Sequence, residues 1–421
     1  MRGTLQRSVF GVAVVIICSV AMNTGCEPAA RGITTVARYD SAGIQVVLSE
    51  IAASPNGAFR EAKKGRRVGA EEGGDTSLFF QGLKGPLPLE RGGFVIADAS
   101  SASIRYFTAD FRQHLRIGKR GGGPGEFSSG PFALFKCNGD SIVVRESKRL
   151  SLFAPNGSYI SGAGVSSVQL KGSVTIVGVA RDCGTLIATE TVGVDTASDG
   201  SISPRYQVVA FVGQKGVLET GVSFLGARGK EIDIQGRKVL AKIPWSSEGI
   251  LAVSPSFIVE GETAKAELRV RSHDGSIRRI IRWQSSSDPI TSDDLRRFDD
   301  QRRKFLRLYP EETPNFPTSS QLPIPKSKPL FSRVLIGADS TIWVRDYSDS
   351  DAGYPDLLQA SEESSTVQWR VFDNSGATSF VVTLLRGFNP TWATAGRVLG
   401  VLVDQDGVES IAEFNVGPIQ R

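Results

Sequence analysis

The chain is poorest in the residues from which metal and nucleophile chemistry is most often built. It holds only two histidines, His114 and His273, and four cysteines in 421 residues. Two histidines cannot form a multi-histidine metal centre, although an all-oxygen Ca²⁺ site would need none. No G-x-S-x-G, H-E-x-x-H or C-x-x-C occurs, so the common hydrolase, zinc-protease and thiol-redox motifs are absent. A strong excess of one charge is lacking too, with 49 basic against 44 acidic residues. Such a balance speaks of solubility and leaves no nucleic-acid footprint. The densest basic run, Lys63-Lys64-Gly65-Arg66-Arg67, is answered by Glu71 and Glu72 and is expected to be a solvated loop. Carboxylates such as Asp404 and Asp406 sit in a D-Q-D-G turn, where turn chemistry explains them. The sequence therefore nominates no catalytic residue, metal ligand or cofactor.

A membrane-length apolar run is also missing. The longest, Val9–Val20, follows Arg2 and Arg7 and has the length of a signal-peptide core. It ends in Asn23-Thr24-Gly25-Cys26, which resembles the lipobox of bacterial lipoproteins, with Asn23 where that motif prefers leucine. The resemblance implies a signal peptide over residues 1–25, lipidation of Cys26 and a tether over 26–42. Cleavage without lipid is the alternative. Export leaves 47 basic and 44 acidic residues, a net charge of +3.

What the chain has in quantity is glycine, 46 residues, among short β-type runs. Strand-like units begin near Gly92, Gly139, Cys183, Gly249, Asp339 and Gly396. Alternation such as Leu268-x-Val270 and Trp369-x-Val371 marks strands with a buried face. One such unit cannot bury both of its faces alone, so the units are expected to stack about an axis. A β-sandwich is the competing architecture. Residues 191–205 are expected to form a polar loop within the third unit.

Between the first two units runs I-G-K-R-G-G-G-P-G-E-F from Ile117. Glycine backbones can cradle phosphate, but Glu126 would repel it, and a strand-like stretch follows where a helix would be needed. A tight turn linking two sheets fits better. This motif, at Gly123 to Phe127, resembles the blade-to-blade link of bacterial six-bladed β-propellers of the NHL-like group, many of them secreted proteins or lipoproteins. The resemblance implies an all-β, six-bladed propeller over residues 43–421. Gly43–Ser49, a strand with no unit of its own, is expected to complete the last blade and remove an open edge.

Residues 284–329 break the periodicity. Thr291 or Ser292 can cap a helix over 293–309; Asp293 and Asp294 suit its positive end, and Arg302, Arg303, Lys304 and Arg307 its negative end. Leu295, Phe298, Phe305, Leu306 and Tyr309 form a docking face, with i,i+4 pairs Asp293–Arg297, Asp299–Arg303 and Asp300–Lys304 on the surface. Six prolines follow between 310 and 329, suiting an extended strap. Arg296, Arg303 and Arg307 are then the expected binding residues. The bland alternative is a segment that caps a blade edge or plugs the ring mouth.

Cys137 and Cys183 each end an apolar run at the start of neighbouring units. Equivalent positions and an oxidising compartment point to a disulfide, the alternative being two buried thiols. Together these features describe an exported, lipid-anchored, monomeric propeller of the cell envelope, attached to the membrane through its N-terminal lipid. It would bind a protein, a peptide or a glycan. The competing class is a carboxylate- or Ca²⁺-dependent hydrolase or lyase with an axial site.

Overall fold

A computed structural model describes residues 34–51, 59–69, 78, 80–128, 130–131, 133–146, 149–164, 173–212, 217–234, 237–308, 310, 316–352, 365–404 and 406–418. The leader and Cys26 lie outside them, as does Tyr309. The described chain is all-β, with one α-helix, Ser292–Leu308. None of its helices is long and apolar enough to cross a membrane.

The described strands form five sheets; the eight-stranded one consists of two antiparallel runs, within 331–385 and 388–418, joined through Phe59–Val68, so that the strands fall into six consecutive antiparallel groups. Each group begins with one of Leu83–Pro88, Ala133–Lys136, Val174–Val179, Gly249–Val253, Phe331–Ile336 or Phe388–Thr394. Groups one, two, four and five each add three further strands of their own in chain order. These six leading strands touch in cyclic order, and Phe388–Thr394 of the sixth group returns to Leu83–Pro88 of the first.

The apolar cores follow the same circle. In Phe94–Asp98, all five residues are buried. Phe94 and Ile96 join Leu399, Val401 and Ile411 of group six, whereas Val95 and Ala97 join Ile142, Val144 and Phe153 of group two. A strand with period-two side chains is thus covered on both faces by different neighbours. Comparable cores lie between groups two and three, three and four, four and five, and five and six. Each fully buried Val, Leu, Ile or Phe contributes about 1.5–3 kcal/mol.

The N-terminal strands depart from expectation. Gln45–Ser49 does not reach the last group but pairs in parallel with Arg279–Trp283 of group four. Its Val46 and Val47 are buried, and the Ser49 hydroxyl lies 2.7 Å from Thr378 Oγ1 of group five. A strand with consecutive buried valines needs cover on both sides, which the cleft between these two groups provides. The place beside Glu409–Pro418 goes instead to Phe59–Val68, antiparallel, which also pairs in parallel with Val381–Thr383. That strand contains the basic run expected to be a loop. It is mostly exposed, because a strand held chiefly by backbone pairing to a neighbour on either side needs little apolar cover. Arg60 nevertheless lies 4.0 Å over the Phe380 ring.

Residues 191–205 also differ from expectation. They belong to two long strands, Thr185–Thr196 and Ser201–Val212, paired through a tight turn. The β-branched Val192, Val194 and Thr196 favour extension even where the side chains are exposed. A further hairpin, Gly229–Ile234 with Arg237–Lys242, completes this enlarged third sheet.

The glycine-rich corner connects Gln113–Ile117 to Ala133–Lys136, the sheet-to-sheet link anticipated. Glu126 ties it together, accepting the Gly123 N–H at 2.9 Å and pairing with Lys119 at 3.2 Å. Arg149 donates to the carbonyls of Gly122 at 3.0 Å and Gly123 at 3.2 Å, and to that of Glu126. The corner therefore offers carbonyls to a guanidinium, the opposite polarity from a phosphate cradle. Gly118 has φ +90°, and a Cβ there would lie 2.4 Å from the Phe127 ring, so only glycine fits.

Groups two and three are also joined covalently. Cys137 and Cys183 form a disulfide with Cα atoms 5.2 Å apart.

Candidate pocket beneath the helix

The insertion after group four builds a roofed pocket. Its entry is pinned where Ile290 N donates to Lys326 O at 3.0 Å. Thr291 and Asp294 then form a reciprocal cap: Asp294 N donates to Thr291 Oγ1 at 3.2 Å, and Asp294 Oδ2 accepts from Thr291 N at 2.8 Å. This capping box satisfies donors that the helix start would otherwise leave open. Farther on, Asp299 accepts from Ser319 N at 2.9 Å and Oγ at 2.7 Å, and Phe305 meets Phe316 at 4.9 Å between ring centroids. The proline-rich strap is thereby folded back along the helix.

The opposite wall comes from the turn Ile243–Ser246, closed by Ser246 N donating to Ile243 O at 3.4 Å. Pro244 presets its second position, and Trp245 occupies the third with φ +55°. Positive φ there is ordinarily glycine's, and a bulky residue in that region is under strain. Trp245 is 4% exposed and packs on Phe298 with ring centroids 5.5 Å apart. Leu295, Ile290, Ala352 and Tyr347 complete this cluster. Burial drives the Tyr347 hydroxyl above its ordinary pKa, and Asp351, Asp349 and Glu248 add to the effect.

A cavity of about 220 Å³ lies between these walls. The helix contributes Asp294, Arg297, Phe298 and Gln301, the i, i+3, i+4 and i+7 positions of one face. Trp245, Asp349, Ala352 and Arg386 line the rest.

Four charges form a closed ring at its edge. Asp294 accepts from Lys328 at 3.0 Å and from Arg297, and Asp349 accepts from Arg297 at 3.0 Å and from Lys328. Burial alone would raise the Asp294 pKa, but hydrogen bonds from Thr291 and the Lys328 ammonium hold it well below the carboxylate range. Burial opposes the Lys328 charge as well, yet bonds to Asp349 and Asp294 raise its pKa. Both partners agree in direction: the charged ring is the stable state.

The residues singled out from sequence lie elsewhere. Arg296, Arg303 and Arg307 are exposed on the helix's solvent side. Arg296 pairs with Asp293 at 2.8 Å and Arg303 pairs with Asp300. The pairs are i,i+3 in place of the expected i,i+4, because Asp294 and Asp299 serve the cap and the strap. The cation that the helix itself contributes to the pocket is Arg297, one residue from the expected Arg296. His114 lies 6.2 Å from the Tyr106 ring, while His273 Nε2 is 3.0 Å from Ser254 O. Among the described residues, no cluster of three or more His, Cys, Asp or Glu could hold a metal ion.

No family model matches the chain, and no curated protein matches it significantly. Solved structures resemble it in outline only. A member of the DUF4221 family from Bacteroides vulgatus is 10% identical with TM-score 0.47, covering 86% of this chain and 99% of that one. A catalytically inactive virginiamycin B lyase from Staphylococcus aureus, solved with quinupristin, is 10% identical with TM-score 0.37, covering 84% and 99%. Regucalcin from Agrobacterium tumefaciens, described as calcium-binding, is 12% identical with TM-score 0.32, covering 86% and 99%. None of these TM-scores reaches 0.5.

Proposed function

We propose that the six strand groups are the blades of a β-propeller closed by Phe59–Val68, and that the protein is an exported, lipid-anchored binding module. Its ligand site is the pocket beneath the helix. The cyclic contacts of the leading strands and the shared cores between successive groups support the architecture. The lipobox-like Asn23-Thr24-Gly25-Cys26 supports the anchor, since stable attachment takes more than one acyl chain.

One observation carries the choice of binding over catalysis. The pocket's buried carboxylate, Asp294, is engaged by a cap and two cations and is driven away from neutrality. A general acid or base works best with a pKa near the operating pH. This carboxylate positions a guanidinium instead. The strained Trp245, held against Phe298, supplies a rigid apolar wall of the kind that binding pockets use.

The test is a thermal-shift and tryptophan-fluorescence screen of the mature protein with monosaccharides, amino acids, short peptides and small organic acids. Saturable binding weakened by Gln301→Leu, with the ligand recovered unchanged, is the expected result. Conversion of a bound compound, or binding indifferent to Gln301→Leu, would overturn it. For the anchor, Cys26→Ser should move the protein from membranes to the soluble fraction.

A further inference from the structure

We propose that the pocket beneath the helix binds a neutral polyhydroxylated ring, one monosaccharide unit, through hydrogen bonds from Trp245, Arg297 and Gln301. The inference rests on reading this pocket as a binding site. Its starting point is a donor without an acceptor. Trp245 lines the cavity and is 4% exposed, yet its indole Nε1 has no hydrogen-bond partner among the described residues. A buried indole N–H normally finds one, and leaving it unanswered costs about 1–3 kcal/mol. An oxygen brought by a ligand removes that cost.

Other lining residues have bonding capacity to spare. Both bonds of the Arg297 guanidinium leave from Nη2, so Nε and Nη1 have no partner among the described residues. The Gln301 side chain, one turn on along the same helix face, makes no hydrogen bond among the described residues and offers both a donor and an acceptor. Asp349 accepts one bond on each oxygen, from Lys328 and Arg297, and an ionised carboxylate has about four acceptor positions. The unmet groups are therefore mixed, donors beside acceptors. A hydroxyl is both at once, and adjacent hydroxyls on one ring can answer several of them.

Charge and surface narrow the class. Arg297 and Lys328 balance Asp294 and Asp349 within the closed ring. A charged ligand would have to break that ring or sit beside a like charge, whereas hydroxyls add to it. Arg386, on the far wall, has a partner of its own and enters no part of this balance. Most of the cavity surface is polar. Trp245 and Phe298 are more than nine-tenths buried, so the apolar contact they offer is one small facet. That suits the C–H face of a sugar and not a hydrocarbon body. A cavity of about 220 Å³ holds about seven waters at about 30 Å³ each, room for a single monosaccharide unit.

The experiment is a calorimetric titration of the mature protein with glucose, galactose, mannose and N-acetylglucosamine, each free and as its methyl glycoside. Glycine and phenylalanine, zwitterions of no net charge, are titrated beside them. At least one sugar should bind saturably and the amino acids should not. Trp245→Phe keeps an aromatic ring and removes the N–H, and it should weaken that sugar about tenfold. Arg297→Gln, which removes the second donor, should do the same and serves where Trp245→Phe does not fold. The neighbouring Arg296→Gln should leave the affinity unchanged. Binding of a sugar and its glycoside alike assigns the terminal unit of a glycan, and binding of the free sugar alone assigns a free monosaccharide; either supports the proposal. If only amino acids or other compounds of the wider screen bind, or if sugar binding survives Trp245→Phe and Arg297→Gln, the sugar assignment fails while the binding site stands. If nothing in the panel or the wider screen binds, or binding is indifferent to Gln301→Leu, both fail.

Discussion

Lys328 Nζ lies 3.0 Å from Asp294 Oδ1, across 34 residues of chain, and so fastens the end of the proline-rich strap to the first turn of the helix. The folded-state pKa of Asp294 is depressed and that of Lys328 raised. The Asp294 contribution is therefore present above its unfolded pKa of about 3.9 and is lost as pH falls through the lower folded value. The Lys328 contribution is present below about 10.4 and is lost as pH rises through its higher folded value. The insertion should be firmest between these limits. Lys328→Met removes one cause of the Asp294 depression, so its acid transition, followed by tryptophan fluorescence, should begin at higher pH than in the wild type.

Thr291 begins the helix through its hydroxyl and its N–H, both bonded to Asp294. Thr291→Ala should cost about 1 kcal/mol and Thr291→Ser almost nothing. Urea denaturation distinguishes the two, and equal losses would mean that the hydroxyl is not the cap.

Arg149 holds the glycine corner by three carbonyls and pairs with Glu146, whose side chain is 1% exposed. Truncation to Ala takes the guanidinium away from a buried carboxylate that keeps its bond from Ser128 N at 2.7 Å. The expected loss is about 3 kcal/mol, toward the lower end for a broken buried pair. Arg149→Lys should recover part of it, because an ammonium restores the charge but cannot fork across three carbonyls.

The Cys137–Cys183 disulfide closes a loop with a sequence separation of 46. On the chain-entropy model this stabilises by roughly 4 kcal/mol. The double serine variant should therefore melt at lower temperature, and reductant should destabilise the wild type but leave the variant unchanged.

Much of the β architecture was legible because runs such as Phe94–Ala97, which follows two glycines, are apolar on every residue, and strands covered on both faces read that way. The helix was legible through its caps and its apolar face. Phe59–Val68 was not, because a strand held chiefly by backbone pairing leaves no hydrophobic period, and its basic residues look like a loop. Thr185–Thr196 escaped for a related reason: its outer half is exposed. The pocket was hidden by the distance between its parts. Nothing local tells Trp245 that Phe298 will meet it, and choosing Arg297 over Arg296 depends on a rotation of one residue about the helix axis. A tryptophan following proline at a positive-φ turn position was the one available signal, and φ is not written in the sequence.

Phe59–Val68 also sets a timetable. Arg67 meets its partner Ser410 across 343 residues, nearly the whole length of the chain. At about 5–20 residues per second, synthesis alone takes roughly 17–70 s to deliver that partner. Until then an early-made strand has no antiparallel neighbour, and such long-range pairings form slowly. Its lysines and arginines keep it soluble through the wait, so the charges that look idle in the finished molecule act before it is finished.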